Sequence, residues 1–267
     1  MTAAPAPGEK RNTVRVLVVT PTYNEADNVR QHVEAVLARP ARPDVLVVDD
    51  GSPDGTADIV RELAQEHPGR VELLERSGKQ GLGTAYVAGF NRALREGRWD
   101  VVVQMDVDGS HDPRAIDALL AAIEDADLVL GSRYVPGGRV ADWPWSRRTV
   151  SWVGNLYART VLRAPVRDLT GGFKAWRTDL LTRLDVDSFE ANGYGYQIET
   201  TYRALQAGAR VVEVPITFRD RELGESKMNT GIAVEAVSAV FRIRRHPAPS
   251  ARPATSGSAG DDTAGRR

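Results

Sequence analysis

The 267-residue chain contains no cysteine, which excludes disulfide frameworks, zinc ribbons and thiol nucleophiles without fixing a compartment. No apolar run approaches the roughly 20 residues that a membrane-spanning helix needs. The opening MTAAPAPGEKRN lacks the apolar stretch of a secretory signal, so a cytoplasmic protein without its own membrane span is the expectation. Histidine is scarce. His32, His67, His111 and His246 are scattered, and neither a histidine metal site nor a Ser–His–Asp arrangement is evident. His32 and His67 fall in helical stretches and read as surface residues. His111, three residues past Asp108, could approach a metal or face solvent. A net excess of either charge is also missing, since 35 Lys and Arg oppose 36 Asp and Glu. Wholesale nucleic-acid binding would want a general positive excess.

What is present is an ordinary globular balance, with 42% apolar and 27% charged residues, which rules out wholesale disorder. The charge is divided along the chain. Residues 1–132 carry 14 basic and 22 acidic side chains (net −8), residues 133–176 carry 8 and 2 (net +6), and residues 177–267 carry 13 and 12 (net +1). A compact basic segment on a neutral chain suggests a local anionic ligand, although a solvated helix face carries the same charges.

Residues 1–12 and 246–267 are Pro-, Ala-, Ser- and Gly-rich and read as disordered ends. Between them, 13–245 reads as a single domain with halves at 13–132 and 133–245. β-branched runs at 14–20, 44–49, 71–75, 100–106 and 127–132 alternate with helical patterns at 25–38, 55–67, 83–97 and 113–125. That alternation predicts an α/β fold, a mostly parallel sheet with helices on both faces. The second half predicts a helix over 148–163, a strand near 171–176, a helix near 195–207, a strand over 211–218 and an amphipathic helix over 230–245. For 148–163, Trp152, Val153 and Leu156 share an apolar face. Packing against the sheet is the stronger expectation for that face, and an interfacial helix the weaker.

Ligands of open parallel sheets bind beyond the carboxyl ends of the strands, and here those ends are polar: Pro21–Glu25, Asp49–Thr56, Asp106–Asp108 and Gly131–Arg133. Two carboxylates one residue apart, Asp106 and Asp108, can share a divalent cation with a diphosphate, or can be turn formers. Asp49 and Asp50 fit a base or ribose contact, an acidic pocket of the receiver type, or an Asp-Gly turn. Gly81-Leu82-Gly83 opens a helix that could lie near phosphate but lacks a third glycine. Arg133, Arg147, Arg148, Arg221 and Lys227 fall in loops or at element ends, where guanidinium groups suit phosphate. The run Asp220–Lys227 places two cations around a Gly-bearing turn, like a flap closing on an anion.

Taken in order, PTYNE (21–25), DDGSPDGT (49–56), GLGTAY (81–86), Asp106–Asp108, GSRY (131–134), DLTGGF (168–173) and DRELGESK (220–227) closely resemble the dolichyl- or polyprenyl-phosphate mannose synthases. These are family 2 glycosyltransferases with the Rossmann-like GT-A fold. The resemblance spans roughly 14–245. It departs at DVDGSH, where DADLSH is usual, and at Lys174, where Arg is frequent, and neither change removes a charge.

The resemblance implies inverting transfer of mannose from GDP-mannose to a polyprenyl monophosphate. It implies that Pro21, Tyr23, Glu25, Val48 and Asp50 hold the guanosine, and that Asp106 and Asp108 bind Mg²⁺ or Mn²⁺ with Val107 and Ser110 alongside. Gln197 would line the sugar pocket. Arg133, Arg147, Arg221 and Lys227 would cradle the phosphates, the cation of the family's Trp-x-x-x-Arg stretch falling on Arg147 and not on Arg148, and Asp108, Arg133 and Arg221 would carry the chemistry. A basic acceptor-side extension and peripheral association with the cytoplasmic membrane face are further implications. Some relatives carry their own membrane spans or rely on a membrane partner, sometimes a lipoprotein N-acyltransferase. The alternatives are a UDP-sugar-dependent lipid-phosphate glycosyltransferase (glucose or N-acetylhexosamine) of the same fold and a non-catalytic nucleotide-binding module. A processive polysaccharide synthase is disfavoured, because its Gln-x-x-Arg-Trp motif is absent.

Overall fold

The computed structural model describes residues 14–189, 193–220 and 240–245. The first half follows the predicted alternation. Strands β1 (Val16–Thr22), β2 (Asp44–Asp49), β3 (Val71–Glu75), β4 (Val101–Gln104) and β5 (Leu128–Ser132) are separated by α1 (Ala26–Leu37), α2 (Thr56–Glu66), α3 (Leu82–Glu96) and α4 (Ala115–Ile123). The second half supplies β6 (Arg139–Val140), α5 (Trp145–Leu162), β7 (Lys174–Arg177), α6 (Thr178–Leu184), α7 (Gly193–Gln206), β8 (Val211–Pro215) and β9 (Thr217–Phe218).

Seven strands form one sheet in the order β3-β2-β1-β4-β7-β5-β8, and β6 pairs with β9 beside it. Successive side chains of a strand point to opposite faces. Thus Leu17 and Val19 join the core under α3, α5, α6 and α7, while Val16 and Val18 join the core under α1, α2 and α4. Burial on both faces explains why these strands are continuous apolar runs.

β7 departs from the parallel pattern by running antiparallel between β4 and β5. Reversal matters for the site. The start of β7, and with it the loop Thr170–Phe173, lies at the same edge as the carboxyl ends of the parallel strands. The predicted strand over 211–218 is two pieces. Its first piece pairs with β5, and after Ile216 the chain leaves the sheet to pair with β6.

The apolar face of α5 overturns the expectation of core packing. Asn155, Ala158 and Leu162 are its buried residues, whereas Trp145 (81% exposed), Trp152 (52%), Val153 and Leu156 face outward. The small Ala158 and the polar Asn155 are what the neighbouring elements accept: Asn155 accepts from the Leu169 amide at 2.9 Å, and Leu169 is itself buried. Of the predicted helix over 230–245, only 240–245 is described, and it is helical.

Candidate active site

At the β1–β2 edge, hydrogen bonds knit two polar loops together. Asp49, fully buried, accepts from Thr22 Oγ1 at 2.8 Å and from the Ser52 amide and hydroxyl at 2.8 and 2.6 Å. Asp54 accepts from the Thr56 amide and hydroxyl and from the Ala26 amide, so it caps α1 across the loop. Burial pushes its carboxyl up, but those donors win and hold it below its ordinary range. Both carboxylates are therefore structural.

Asp50 is different. It accepts from the Gln80 amide at 3.0 Å and lies 3.1 Å from Arg76 Nη1. That pair is misaligned for hydrogen bonding, so Asp50 Oδ1 and Arg76 Nη1 are both buried without a hydrogen-bond partner. An acceptor and a donor left side by side can meet the polar edge of a base. Tyr23 stands close by, with Lys79 Nζ 4.3 Å from its ring centroid. Val48 pairs with Pro21 in the sheet, yet its side chain is fully buried against Gly89. Only its backbone borders the edge.

The loop after β4 carries Asp106 to His111. Asp106 accepts from the Tyr86 hydroxyl at 2.7 Å, and Asp108 accepts from the Ser110 amide at 3.1 Å. Burial and the adjoining Asp106 push the Tyr86 hydroxyl well above its usual pKa, so it stays a proton donor to the carboxylate. Gly172, on the loop leading into β7, leaves the room this corner needs. A Cβ there would sit 3.4 Å from both Asp106 Oδ2 and Gln197 Nε2. Gln197 Oε1 is fixed by Gln104 Nε2 at 2.7 Å.

A divalent cation fits this corner by donor chemistry. Two carboxylates lie on one loop, and Ser110 Oγ beside them is buried without a hydrogen-bond partner. Such oxygen donors suit Mg²⁺ or Mn²⁺, with phosphate oxygens and water completing the shell. Among the described residues no group of three or more His, Cys, Asp or Glu converges.

His32 overturns its surface reading, and His111, left open between a metal and solvent, is enclosed. His32 is buried, its Nε2 lies 3.0 Å from Thr20 Oγ1, and burial pushes its pKa down to about 4. His111 is buried too, stacked on Phe173 at 5.0 Å and edge-on to Phe218 at 5.4 Å. Burial lowers its pKa against the pull of Asp106 and Asp108, with Arg133 adding to the lowering. His111 thus lies between the acidic corner and the basic one.

In the basic corner, Arg133 forks onto Asp168: Nε and Nη2 each donate at 2.8 Å, and the Arg133 amide donates at 3.0 Å. Nη2 also donates to Thr170 Oγ1 at 2.6 Å. Arg133 was expected as a loop cation, but its side chain is only 4% exposed and Asp168 only 1%. Arg147, on α5, donates to Asp220 at 2.9 Å and lies 3.9 Å from the Trp143 ring centroid. Arg148 is exposed on the outer side. Arg221 and Lys227 lie outside the described residues.

Lys174 also differs from expectation. Enclosed on β7, its Nζ donates to Gln197 O at 2.8 Å and Thr200 Oγ1 at 3.0 Å. Burial lowers its pKa to about 7, so a full positive charge is not retained there. The structure brings Asp106, Asp108, Ser110, Gln197 and Arg133 around His111 and Gly172, and places Pro21 at the end of β1 and Tyr23, Glu25 and Asp50 in the neighbouring loops. Arg76, Tyr86 and Asp168 were not singled out from the sequence. Their signal was present in GLGTAY and DLTGGF, but a lone Arg76 after a strand carries none.

A sequence profile of glycosyl transferase family 2 matches residues 17–185. The chain is 49% identical over 229 residues to an undecaprenyl-phosphate mannosyltransferase of Micrococcus luteus, covering 86% of this chain and 93% of that one. It is 47% identical over 232 residues to a polyprenol monophosphomannose synthase of Mycolicibacterium smegmatis, covering 86% and 87%. Among solved structures, a mannosyltransferase of Pyrobaculum calidifontis in complex with GDP-Man and Mn²⁺ superposes with a TM-score of 0.58 at 22% identity. That match covers 92% of this chain and 68% of the other, a likeness of fold.

Proposed function

The chain belongs to glycosyl transferase family 2, and from that premise we propose that it transfers mannose, with inversion, from GDP-mannose to a polyprenyl monophosphate. The carrying observation is the meeting of the Asp106–Asp108 corner and the Arg133–Asp168 corner on either side of His111 at one sheet edge. An acidic corner suits a metal-bound diphosphate, and arginines held in place by Asp168 and Asp220 suit a second phosphate.

The acceptor chemistry fits this division. A sugar hydroxyl must lose a proton as it attacks and calls for a positioned base. A phosphate monoester, with a second pKa of about 6, is already largely a dianion at neutral pH. One of its oxygens attacks the anomeric carbon as the bond from that carbon to GDP breaks, and GDP departs with the electron pair. The protein's task is to hold two anions together. Asp50 and Arg76 meet the base, with Tyr23 beside them and Pro21, Glu25 and Val48 framing the pocket. Gln197 lines the sugar site, opened by Gly172. Asp106 and Asp108, with Val107 and Ser110 alongside, hold Mg²⁺ or Mn²⁺, which when bound neutralises charge on the leaving diphosphate. Arg133 and Arg147 orient phosphate, and Arg221 and Lys227 join them by their place in the motif.

A polyprenyl tail requires access to a bilayer, and among the described residues no helix is long and apolar enough to cross one. Peripheral association through α5 fits its outward Trp145, Trp152, Val153 and Leu156 beside Arg148 and Arg163, since aromatic, aliphatic and basic residues together favour the membrane interface. The decisive assay offers labelled GDP-mannose or UDP-sugars with polyprenyl phosphate, with and without Mg²⁺ or Mn²⁺. Mannose-labelled lipid from GDP-mannose alone, dependent on metal, is the expected product. Labelling from a UDP-sugar alone would overturn the donor assignment.

A further inference from the structure

The roles given above leave His111 without one, although it occupies the centre of the site. Its Nδ1 accepts a hydrogen bond from the backbone N–H of Asp106 at 3.3 Å. That acceptor role places the ring proton on Nε2. The ring is clamped between Phe173 at 5.0 Å and Phe218 at 5.4 Å. One residue earlier, Ser110 O accepts from the Arg219 amide at 3.1 Å. The loop that carries both aspartates is therefore fastened at two points to the chain at Phe218 and Arg219. Contacts continue outward from there: Phe218 meets Trp143 at 5.4 Å, and Trp143 supports Arg147, which holds Asp220.

Resting on the mannosyltransferase reading, we propose that His111 is a positioning residue for the metal-bound donor. Its Nδ1 fixes the backbone of Asp106, and its ring registers the aspartate loop against the Phe218 strand. It touches neither donor nor acceptor in this role. A ring of similar size without an acceptor would take this hydrogen bond from the part-buried Asp106 amide and let the loop drift, and displacement on the ångström scale degrades a preorganised site. The acceptor's position decides the outcome. In asparagine, Oδ1 is as many bonds from the backbone as the histidine Nδ1, whereas the glutamine oxygen is one bond further out.

The test is calorimetric titration of GDP into the full-length protein in saturating Mn²⁺, comparing wild type with His111→Asn, His111→Gln and His111→Phe. Thermal unfolding and steady-state kinetics accompany it. Asparagine should stay within threefold of wild-type affinity. Glutamine and phenylalanine should weaken GDP binding tenfold or more and raise KM for GDP-mannose by a similar factor, leaving kcat at saturating donor far less affected. If phenylalanine does not fold, the asparagine–glutamine contrast still decides. Equal affinity in the two amide variants, or wild-type affinity in all three, overturns the positioning role. Absence of Mn²⁺-dependent GDP binding in the wild type would instead overturn the donor reading, and this inference with it.

Discussion

Replacing Asp168 by asparagine keeps its shape and removes one charge from an enclosed ion pair. Arg133 and Asp168 are 4% and 1% exposed, so water cannot substitute for the missing partner. Asp168 accepts from Nε, Nη2 and the amide of Arg133. An asparagine Nδ2 in place of one oxygen would turn a donor toward the guanidinium. Removing one partner of a buried pair costs about 3–5 kcal/mol. For a domain of this size, about 2–4 °C of melting temperature goes with each kcal/mol, which predicts a fall of roughly 6–20 °C. The same donors hold the Asp168 carboxyl below its ordinary range against the upward push of burial. Its contribution therefore stands at neutral pH and is lost only as pH falls below about 4, which makes pH 7 the condition for comparison. Urea unfolding of Asp168→Asn and of Arg133→Met/Asp168→Leu measures it. The double variant should recover most of the stability, because an apolar pair of similar volume leaves no buried charge unpaired, yet remain inactive. A loss under about 1 kcal/mol in the single variant, or full turnover in the double one, would refute the reasoning.

Three further outcomes follow from the geometry. Asp108→Ala should fold normally and lose at least about 10²-fold in turnover, and chelation should abolish wild-type activity; full activity with purified substrates would remove the metal assignment. Lys174, with its pKa lowered to about 7 by burial, binds fewer protons in the folded than in the unfolded chain between about pH 7 and 10. Stability should therefore rise with pH there, by up to about 1.4 kcal/mol per unit from this group, and urea unfolding of Lys174→Met should show that slope flattened. Trp145→Ser/Trp152→Ser should float less with anionic vesicles while retaining its melting temperature, since both side chains are outward.

The sheet was legible because its first five strands are apolar runs bounded by helical periods, and burial on both faces demands such runs. The direction of β7 was not. Lys174–Arg177 is short, and nothing in four residues tells which way the chain runs between β4 and β5. Periodicity identified an apolar face on α5 but not what it faces, because exposed and core faces share a spacing. The carboxylates of the site were legible as a strand-end pair. The partner of Arg133 was not, since Asp168 is 35 residues away and becomes a neighbour only through the return of the chain to β7. His32 was misplaced for the same reason, and the choice left open at His111 is decided by Phe173 and Phe218 rather than by adjoining sequence.

Reversal of β7 explains why one edge can serve two anions. In an all-parallel sheet the loop entering a strand lies at the edge opposite the carboxyl ends. Here the antiparallel insertion delivers Asp168–Phe173 to the functional edge, between β4 with its aspartates and β5 with Arg133. The acidic first half and the basic middle segment, net −8 and +6 along the chain, thereby both contribute to that edge. Gly172 and Phe173 join the two corners: one leaves space beside Asp106, the other supports the His111 ring. Separating the halves by a charge swap at Arg133 and Asp168 should leave donor binding largely intact, because the pair is held by its own hydrogen bonds and by Thr170. Calorimetry with GDP on Arg133→Asp/Asp168→Arg would test that independence, and loss of nucleotide binding in a folded variant would show that the two corners are one energetic unit.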